Sequence, residues 1–243
     1  MVAQSASGCV CTITATVKFF DILYSPTQVN TNKLILIGSL VLTVMLGLFS
    51  GSVFAENLIT DSKLFGYREE RKEGFKIFPQ SVSVMHRHEN DRPTAENCPI
   101  NLCKVPEWQQ LLASLRGRSQ HDQITGINTF ANQFRYVLDQ DNYGRSDYWA
   151  IPREFLTLGG DCEDYAIIKY FSLRQLGYPP ETMRIVVVQD ANLRIPHAVL
   201  ALYTRENILI LDNQIREVIP HNSIAHYIPV FSLNERNWWM HLP

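Results

Sequence analysis

A single cysteine lies among three carboxylates in the stretch LGGDCEDYAIIKYF, residues 158–171. Cys162 falls in the first turn of a predicted helix, where N–H groups without helical partners and the helix dipole favour a thiolate. The two glycines before it remove side-chain bulk, which would let a substrate backbone approach. A nucleophilic cysteine also needs a base, and the base needs a group that orients it. The stretch therefore predicts a nucleophile whose partners must lie elsewhere in the chain.

A histidine and an aspartate on adjacent predicted strands could be those partners. Residues 197–213, HAVLALYTRENILILDN, are typical of a β-hairpin that turns near 204–207. In one register His197 lies opposite Asp212, and in the next Asp212 lies opposite Val199 and diagonal to His197. Both registers place the two side chains on one face of the sheet. Each residue alone is more often structural, but together with the thiol they predict a Cys–His–Asp hydrolase.

The carboxylates beside the cysteine have two interpretations. Asp161, Glu163 and Asp164 could simply cap the helix and complement its dipole, at ~0.3–1 kcal/mol each. However, neighbouring negative charges also disfavour an ionised thiolate. A hard dication held by these oxygens would offset that effect and fix the loop before the helix. The residues alone leave capping and a calcium site both open.

The turn-rich segment 139–152 opens like an EF-hand loop, with acids at Asp139 and Asp141. The match fails at the fifth and twelfth positions of the loop, so no EF-hand is predicted. The two aspartates stay open as additional metal ligands near the site.

The elements around these residues predict a mixed fold. Two amphipathic helices are expected within 105–118 and 122–140, and the cysteine helix is expected to run from its N-cap Asp161 to about Leu176, before Gly177. β-branched runs with a period of two follow, at 184–190, 197–204, 207–213, 215–219 and 229–233. Helices first and strands later predict an α+β fold with a mainly antiparallel sheet.

The N-terminal part predicts export. Residues 34–55 carry no charge, follow Lys33 and end in VFA, which is typical of a secretion signal cleaved after Ala55. The run also approaches the ~20 apolar residues that span a bilayer, so an uncleaved inner-membrane anchor is the alternative. The predicted organisation is an upstream extension or mis-called start at 1–32, the signal at 33–55, a peripheral region at 56–105 and the main domain at 106–243.

The composition limits the classes of function that the chain can have. With 243 residues, 46% of them hydrophobic and 19% charged, the chain can build one sizeable core. The net charge of −2 and the lack of a basic face give no reason to expect nucleic acid. The five cysteines are too few for a disulfide framework, although Cys98 and Cys103 could form a bridge in an oxidising compartment.

Several stretches together resemble a known family. They are DYWAIPREFL, GGDCEDYAIIKYFSLRQLG, IPHAVLALY, LILDNQ and PVFSLNE. The chain from about 108 to 239 is similar to the bacterial transglutaminase-like cysteine proteases, and within them to the LapG-type periplasmic proteases that cleave a large surface adhesin. The resemblance implies a papain-like or transglutaminase-like fold, with the cysteine helix packed on an antiparallel sheet. It makes Cys162 the nucleophile, His197 the general base and then acid, and Asp212 the orienting group.

The same resemblance implies a cofactor and partners. Asp161, Glu163 and Asp164 match family acids associated with calcium, and activity is expected to depend on calcium. The expected substrate is a peptide bond near the N-terminus of a large adhesin, whose release promotes biofilm dispersal. An inner-membrane cyclic-di-GMP receptor is expected to sequester the protease. Trp149 is the candidate receptor contact, with a core tryptophan as the alternative. Transglutaminase or amidase chemistry and a non-catalytic calcium-dependent binding module remain alternative functions.

Overall fold

The computed structural model describes residues 63–74, 77–94, 96–99 and 101–243. The predicted upstream extension and signal segment lie outside these residues. None of the helices within the described part is long and apolar enough to cross a membrane.

Helices dominate the first half of the described chain and strands the second. The helices are α1 (Pro79–Asn90), α2 (Val105–Leu115), α3 (Gln120–Ala131), α4 (Asp139–Tyr143), α5 (Pro152–Leu158) and α6 (Cys162–Gln175). The strands are β1 (Arg68–Glu73), β2 (Met183–Asp190), β3 (Ile195–Tyr203), β4 (Ile208–Leu211), β5 (Ile219–Pro220), β6 (Tyr227–Leu233) and β7 (Asn237–Leu242). This arrangement confirms the predicted α+β class.

The strands form one antiparallel sheet, in the order β1-β7-β6-β2-β3-β4-β5. β2 and β3 lie near its centre and are buried on both faces over most of their length. Their β-branched and leucine-rich sequences suit that position, because a strand covered on both faces needs no polar alternation. The predicted hairpin between β3 and β4 is present, and the N–H of Thr204 donates to the carbonyl of Asn207 at 2.9 Å.

The sheet is strongly curved, which brings side chains from distant strands together on one face. Glu69 of β1 accepts a hydrogen bond from the hydroxyl of Tyr203 of β3 at 3.0 Å and pairs with Arg184 of β2 at 2.5 Å. In a flat sheet, β1 and β3 would lie roughly 19 Å apart, at ~4.8 Å per strand. His197 shares this concave face, because alternate residues of β3 point the same way.

Helix α6 is the central helix of the fold. Its residues from Cys162 to Leu173 are all buried, and it packs against β2, β3, α3 and α5. It ends as predicted at Gly177, whose φ of 97° is the left-handed conformation that glycine tolerates. The N–H groups of Gly177 and Tyr178 donate to the carbonyls of Arg174 and Leu173, which closes the helix end. The first turn of α6 therefore belongs to a helix that is buried along its length and closed at its C-terminal end.

Two elements differ from the prediction. The expected helix over 122–140 ends at Ala131, because the chain turns at 132–134 and Tyr136 then forms a parallel bridge with Gly160. The aromatic stripe continues past the helix because Phe134 packs on Phe155 from this turn. Helix α4 lies in the segment 139–152, which was expected to be turns.

The region before residue 106 takes part in the fold. Strand β1 has the charged sequence REERKE and pairs with β7 as an edge strand, where charge protects against aggregation. Its charges gave no apolar alternation for sequence reasoning to detect. Cys98 and Cys103 form a disulfide, as their spacing allowed.

Candidate active site

The histidine and aspartate of the β3–β4 hairpin form a buried pair. The register places Leu200 opposite Leu211, so Asp212 lies just beyond β4 and diagonal to His197, as in the second predicted register. Nε2 of His197 lies 2.9 Å from Oδ1 of Asp212. Both side chains are about 1% exposed. The hairpin thus delivers the imidazole–carboxylate contact that the sequence predicted.

The aspartate is fully supported by the fold. Its Oδ2 accepts from the hydroxyl of Tyr227 at 2.6 Å, and its Oδ1 accepts from the N–H of Gln214 at 2.9 Å. Burial raises the pKa of Asp212, but the charge and hydrogen bond of His197, with the donors Tyr227 and Gln214, hold it below its ordinary value. Asp212 is therefore an ionised carboxylate that fixes the imidazole.

The other ring nitrogen of the histidine faces away from the aspartate. Nδ1 of His197 lies 3.4 Å from the side-chain nitrogen of Gln214. Because Nε2 is committed to Asp212, Nδ1 is the nitrogen that can exchange a proton with a reacting group. Sequence reasoning missed Tyr227, since its place beside Asp212 depends on β6 being next to β2 in the sheet.

The cysteine occupies the first position of α6, as predicted. Cys162 is buried, and its Sγ lies 3.2 Å from Oε2 of Glu163. Lys169 lies two turns further along the same helix face, since seven residues return an α-helix almost to its starting direction. The Lys169 ammonium interacts electrostatically with Asp212, so this face of α6 is directed toward the His197–Asp212 pair.

The lysine is itself unusual. Lys169 is 0% exposed, and its Nζ has no hydrogen-bond partner among the described residues. The centroid of the Tyr165 ring lies 5.9 Å from Nζ. Burial lowers the pKa of Lys169 to about 7, although the charge of Asp212 works in the opposite direction. Lys169 is thus a buried amino group that no described carboxylate hydrogen-bonds.

The two glycines before the cysteine have a different role from the one predicted. Gly159 has a φ of 79°, and a Cβ there would collide with the carbonyl of Arg135. A Cβ at Gly160 would collide with the carboxylate of Asp164. The space that the glycines leave is therefore filled by the protein itself, so their need is explained without a substrate backbone.

Buried acids gather beside the cysteine. Oxygen atoms of Asp139, Asp161 and Asp164 lie within 4.8 Å of one another, as do oxygens of Asp139, Asp147 and Glu163. We call these five residues the acid cluster. It contains all three predicted metal ligands and adds Asp139, which the sequence left open, and Asp147, which it missed. Asp141 is exposed and does not belong to the two groups.

The surroundings of the acid cluster strongly disfavour the ionised form of its carboxyl groups. Burial, followed by the charge of Asp161, raises the pKa of Asp139 to about 7. Burial is also the first cause for Asp161, whose pKa rises to about 6. For Glu163 and Asp164, burial and the neighbouring carboxylates raise the pKa well above the ordinary value. Burial and mutual repulsion therefore both disfavour the ionised form of these acids.

Backbone donors satisfy only part of the cluster. The N–H of Tyr148 donates to Oδ2 of Asp139 at 2.5 Å, and the N–H of Ala150 donates to Oδ1 of Asp164 at 2.7 Å. Oδ1 of Asp139 and Oδ1 of Asp161 are buried without a hydrogen-bond partner among the described residues. Converging, unsatisfied carboxylate oxygens are what a hard cation such as calcium requires, so these residues fit that ion.

Trp149 lies between the two residues whose N–H groups serve the cluster. Its side chain is 4% exposed and belongs to the core. That placement agrees with the alternative interpretation of this residue. A contact with a receptor would require the ring to become exposed, and it stays a prediction.

Comparison with known proteins identifies the family. Residues 100–243 match the model of the bacterial transglutaminase-like cysteine proteinases (BTLCP). The calcium-bound structure of LapG from Legionella pneumophila is 31% identical to this chain, covers 66% of it and 87% of LapG, and has a TM-score of 0.53. The EGTA-treated structure of LapG is 31% identical, covers 66% and 85%, and has a TM-score of 0.52. No curated protein matches the sequence.

These similarities agree with the geometry. The fold pairs a cysteine at a helix start with an antiparallel sheet that carries the buried histidine and aspartate, as the resemblance implied. They confirm the transglutaminase-like fold and the enzyme class predicted from the sequence. The chain belongs to the bacterial transglutaminase-like cysteine proteinases.

Proposed function

We propose that this protease is a calcium-dependent endopeptidase of the periplasm that cleaves a peptide bond near the N-terminus of a large surface adhesin. The observation that carries the proposal is the buried His197–Asp212 pair on the hairpin whose strand β3 packs against the cysteine helix. Release of the adhesin from the outer membrane would promote biofilm dispersal.

The proposed reaction has two halves. The sulfur of Cys162 attacks the scissile carbonyl carbon while His197 accepts the thiol proton at Nδ1. The tetrahedral intermediate breaks its C–N bond, and His197 returns the proton to the leaving amine. In the second half, His197 takes a proton from water, whose oxygen attacks the thioester. The C–S bond breaks, the new carboxylic acid leaves and the thiol is restored.

Asp212 acts through the histidine in both halves. Its hydrogen bond at Nε2 fixes the tautomer that keeps Nδ1 free for proton exchange and stabilises the imidazolium between steps. The donors Tyr227 and Gln214 hold the carboxylate in its ionised form and in one orientation. Because these partners come from β6 and the loop after β4, the rigid sheet preorganises the pair.

The acid cluster is the proposed calcium site. Asp139, Asp147, Asp161, Glu163 and Asp164 would supply the carboxylate oxygens. A bound calcium ion would supply positive charge that offsets the carboxylates around Cys162. Support comes from the unsatisfied oxygens of Asp139 and Asp161 and from the calcium-bound form in which LapG of Legionella pneumophila was solved.

The location and partners are supported less directly. The apolar run 34–55 predicts export, and the disulfide between Cys98 and Cys103 suits an oxidising compartment. The adhesin substrate and the inner-membrane cyclic-di-GMP receptor follow from the similarity to LapG-type proteases. Receptor binding through Trp149 would then control when the enzyme meets its substrate.

One experiment tests the proposal. The exported chain and its Cys162→Ala variant are incubated with the N-terminal region of a large adhesin from the same genome, with calcium or with a chelator. We expect one cleavage event that needs both Cys162 and calcium. Cleavage by the unaltered protein in excess chelator would remove the calcium part of the proposal. Transfer of the acyl group to added amines without hydrolysis would favour transglutaminase chemistry.

A further inference from the structure

Helix α1 lies along the segment that carries the backbone donors of the acid cluster. Three α1-side residues reach this segment, namely Gln80, Arg87 and Asp91. They are spaced by seven and four residues, which puts them on one stripe of a helix. The helix precedes the residues matched by the family model, 100–243, so its role is not implied by that match.

Arg87 makes the central contact of this stripe. One guanidinium nitrogen donates to the hydroxyl of Tyr148 at 2.8 Å and to Oε2 of Glu154 at 2.7 Å. The other terminal nitrogen donates to the carbonyl of Trp149. The guanidinium carbon also lies 4.5 Å from the centroid of the Tyr148 ring. One side chain therefore forms hydrogen bonds with both ends and with the backbone of the segment 148–154.

The contacts of Gln80 and Asp91 lie on either side of those of Arg87. The amide of Gln80 donates to Oδ2 of Asp147 at 3.0 Å, so α1 touches a member of the acid cluster directly. At the other end, Arg153 pairs with Asp91 at 2.9 Å and donates to the carbonyl of Asn97 at 2.9 Å. The segment 147–154 is thereby fixed along its whole length.

The segment matters because its backbone serves the cluster. The N–H groups of Tyr148 and Ala150 donate to Asp139 and Asp164, and the carbonyl between them, that of Trp149, is the one that Arg87 holds. The Trp149 carbonyl shares its peptide plane with the N–H of Ala150, so rotation of this plane would misalign that donor, while Arg87 fixes the residue of the other donor through the Tyr148 hydroxyl. Arg87 contacts no carboxylate of the acid cluster, so its hydrogen bonds reach the cluster through this backbone.

We propose that α1 is a splint for the acid cluster and that Arg87 is its positioning residue, so that cation affinity depends on a helix outside the cluster. The proposal rests on the proposed calcium function, because calcium is the ion whose affinity would change. Without the arginine, the cluster would keep its carboxylates but lose the fixed geometry that a tight cation site needs.

The test is a calcium titration of the full chain by calorimetry. We expect Arg87→Met to weaken calcium binding by about tenfold, on the scale of other supporting interactions around metal ligands. Arg87→Lys keeps the charge but cannot hold three partners at once, so we expect a loss of about threefold. Arg92→Met is the matched control, since Arg92 is an exposed arginine whose side chain donates, within the described part of the chain, to the carbonyls of Glu89 and Asp91. An unchanged calcium affinity in a folded Arg87 variant would overturn the proposal.

A second readout separates this proposal from the calcium function. Hydrogen exchange of the Tyr148 and Ala150 amides is measured in chelator, where the splint should still act. We expect faster exchange in both Arg87 variants and none of this change in Arg92→Met. If the unaltered protein binds no calcium but these amides still respond, the calcium function fails and the splint stands. If the amides do not respond, the splint fails whatever calcium does.

Discussion

The surroundings of Asp212 and those of the acid cluster have opposite effects on the carboxylates that they bury. Asp212 is 1% exposed, and its pKa is held below the ordinary value in spite of burial. Asp161 is 3% exposed, yet its pKa rises to about 6. Burial alone pushes both groups in the same direction, so the difference comes from their neighbours.

The neighbours show what each group needs. Asp212 receives an imidazole, a phenol and a backbone N–H, so the chain itself satisfies its charge. The acid cluster receives backbone donors at Asp139 and Asp164 and the Gln80 amide at Asp147, but Oδ1 of Asp139 and Oδ1 of Asp161 have no hydrogen-bond partner among the described residues. An acid whose charge is satisfied within the chain is suited to a permanent role in proton transfer. A cluster whose acids disfavour one another's charge is suited to binding an external cation.

The largest expected effect comes from removing the charge of the satisfied acid. Asp212→Asn keeps the size of the side chain but removes the charge that fixes the histidine tautomer. We expect kcat/KM for adhesin cleavage to fall by about 10²–10⁴-fold, as in other triads that lose the orienting acid. Calcium affinity should stay the same, because Asp212 lies outside the acid cluster. A loss below tenfold would contradict the role of Asp212 in this comparison.

The same substitution in the cluster should act differently. In Asp139→Asn, the amide oxygen can still accept from Tyr148, while its NH2 replaces an oxygen that has no partner. We expect calcium affinity to fall by about 10–100-fold and the melting temperature in chelator to rise, because a repelling charge is gone. Calorimetry and thermal unfolding measure the two effects. A lower melting temperature in chelator would mean that Asp139 is already compensated within the chain.

The residues of the site that could be predicted from the sequence are those that a local sequence pattern brings together. His197 and Asp212 were found because one hairpin holds both and either register puts them on one face. Asp161, Glu163 and Asp164 were found because they adjoin the cysteine in sequence. Each of these inferences needed only neighbouring residues or a single turn.

The parts that were missed depend on long-range packing. Tyr227 reaches Asp212 only because β6 pairs with β2, which no local pattern encodes. Asp147 joins the cluster through the path of the loop between α4 and α5. The helix predicted over 122–140 was too long, because Phe134 continues the apolar pattern although it lies in the turn after the helix, where it packs on Phe155. Patterns record which residues are buried but not which partner buries them.

The pH dependence of stability should also divide the two groups. The raised pKa values of Asp139, about 7, and Asp161, about 6, mean that the folded state binds these protons more tightly than the unfolded chain. The calcium-free protein should therefore lose stability as the pH rises from about 4 through 7. The lowered pKa of Asp212 works in the opposite sense, with stability lost as the pH falls through its folded value.

Thermal unfolding in chelator and in excess calcium measures this difference. We expect the stabilisation by calcium to grow as the pH rises from 5 to 7.5, since protons and calcium compete for the same oxygens. Calorimetry in buffers of different ionisation heat should show protons released on binding. Calcium stabilisation that is independent of pH would break the assignment of the ion to the cluster.

The smallest expected effect concerns Lys169, the buried cation that shares a helix face with Cys162. Its Nζ has no hydrogen-bond partner among the described residues, and burial lowers its pKa to about 7. The unfolded chain holds this proton up to a pH of about 10.4, so charge burial reduces stability below that pH. Lys169→Met replaces the stem with an apolar side chain of similar length. At pH 7 the melting temperature should rise by about 2–4 °C, and the gain should shrink as the pH approaches 10. A fall in melting temperature at pH 7 would show that Lys169 is a charged partner of Asp212. The carboxylate of Asp212 would then be stabilised by the lysine charge in addition to its hydrogen bonds.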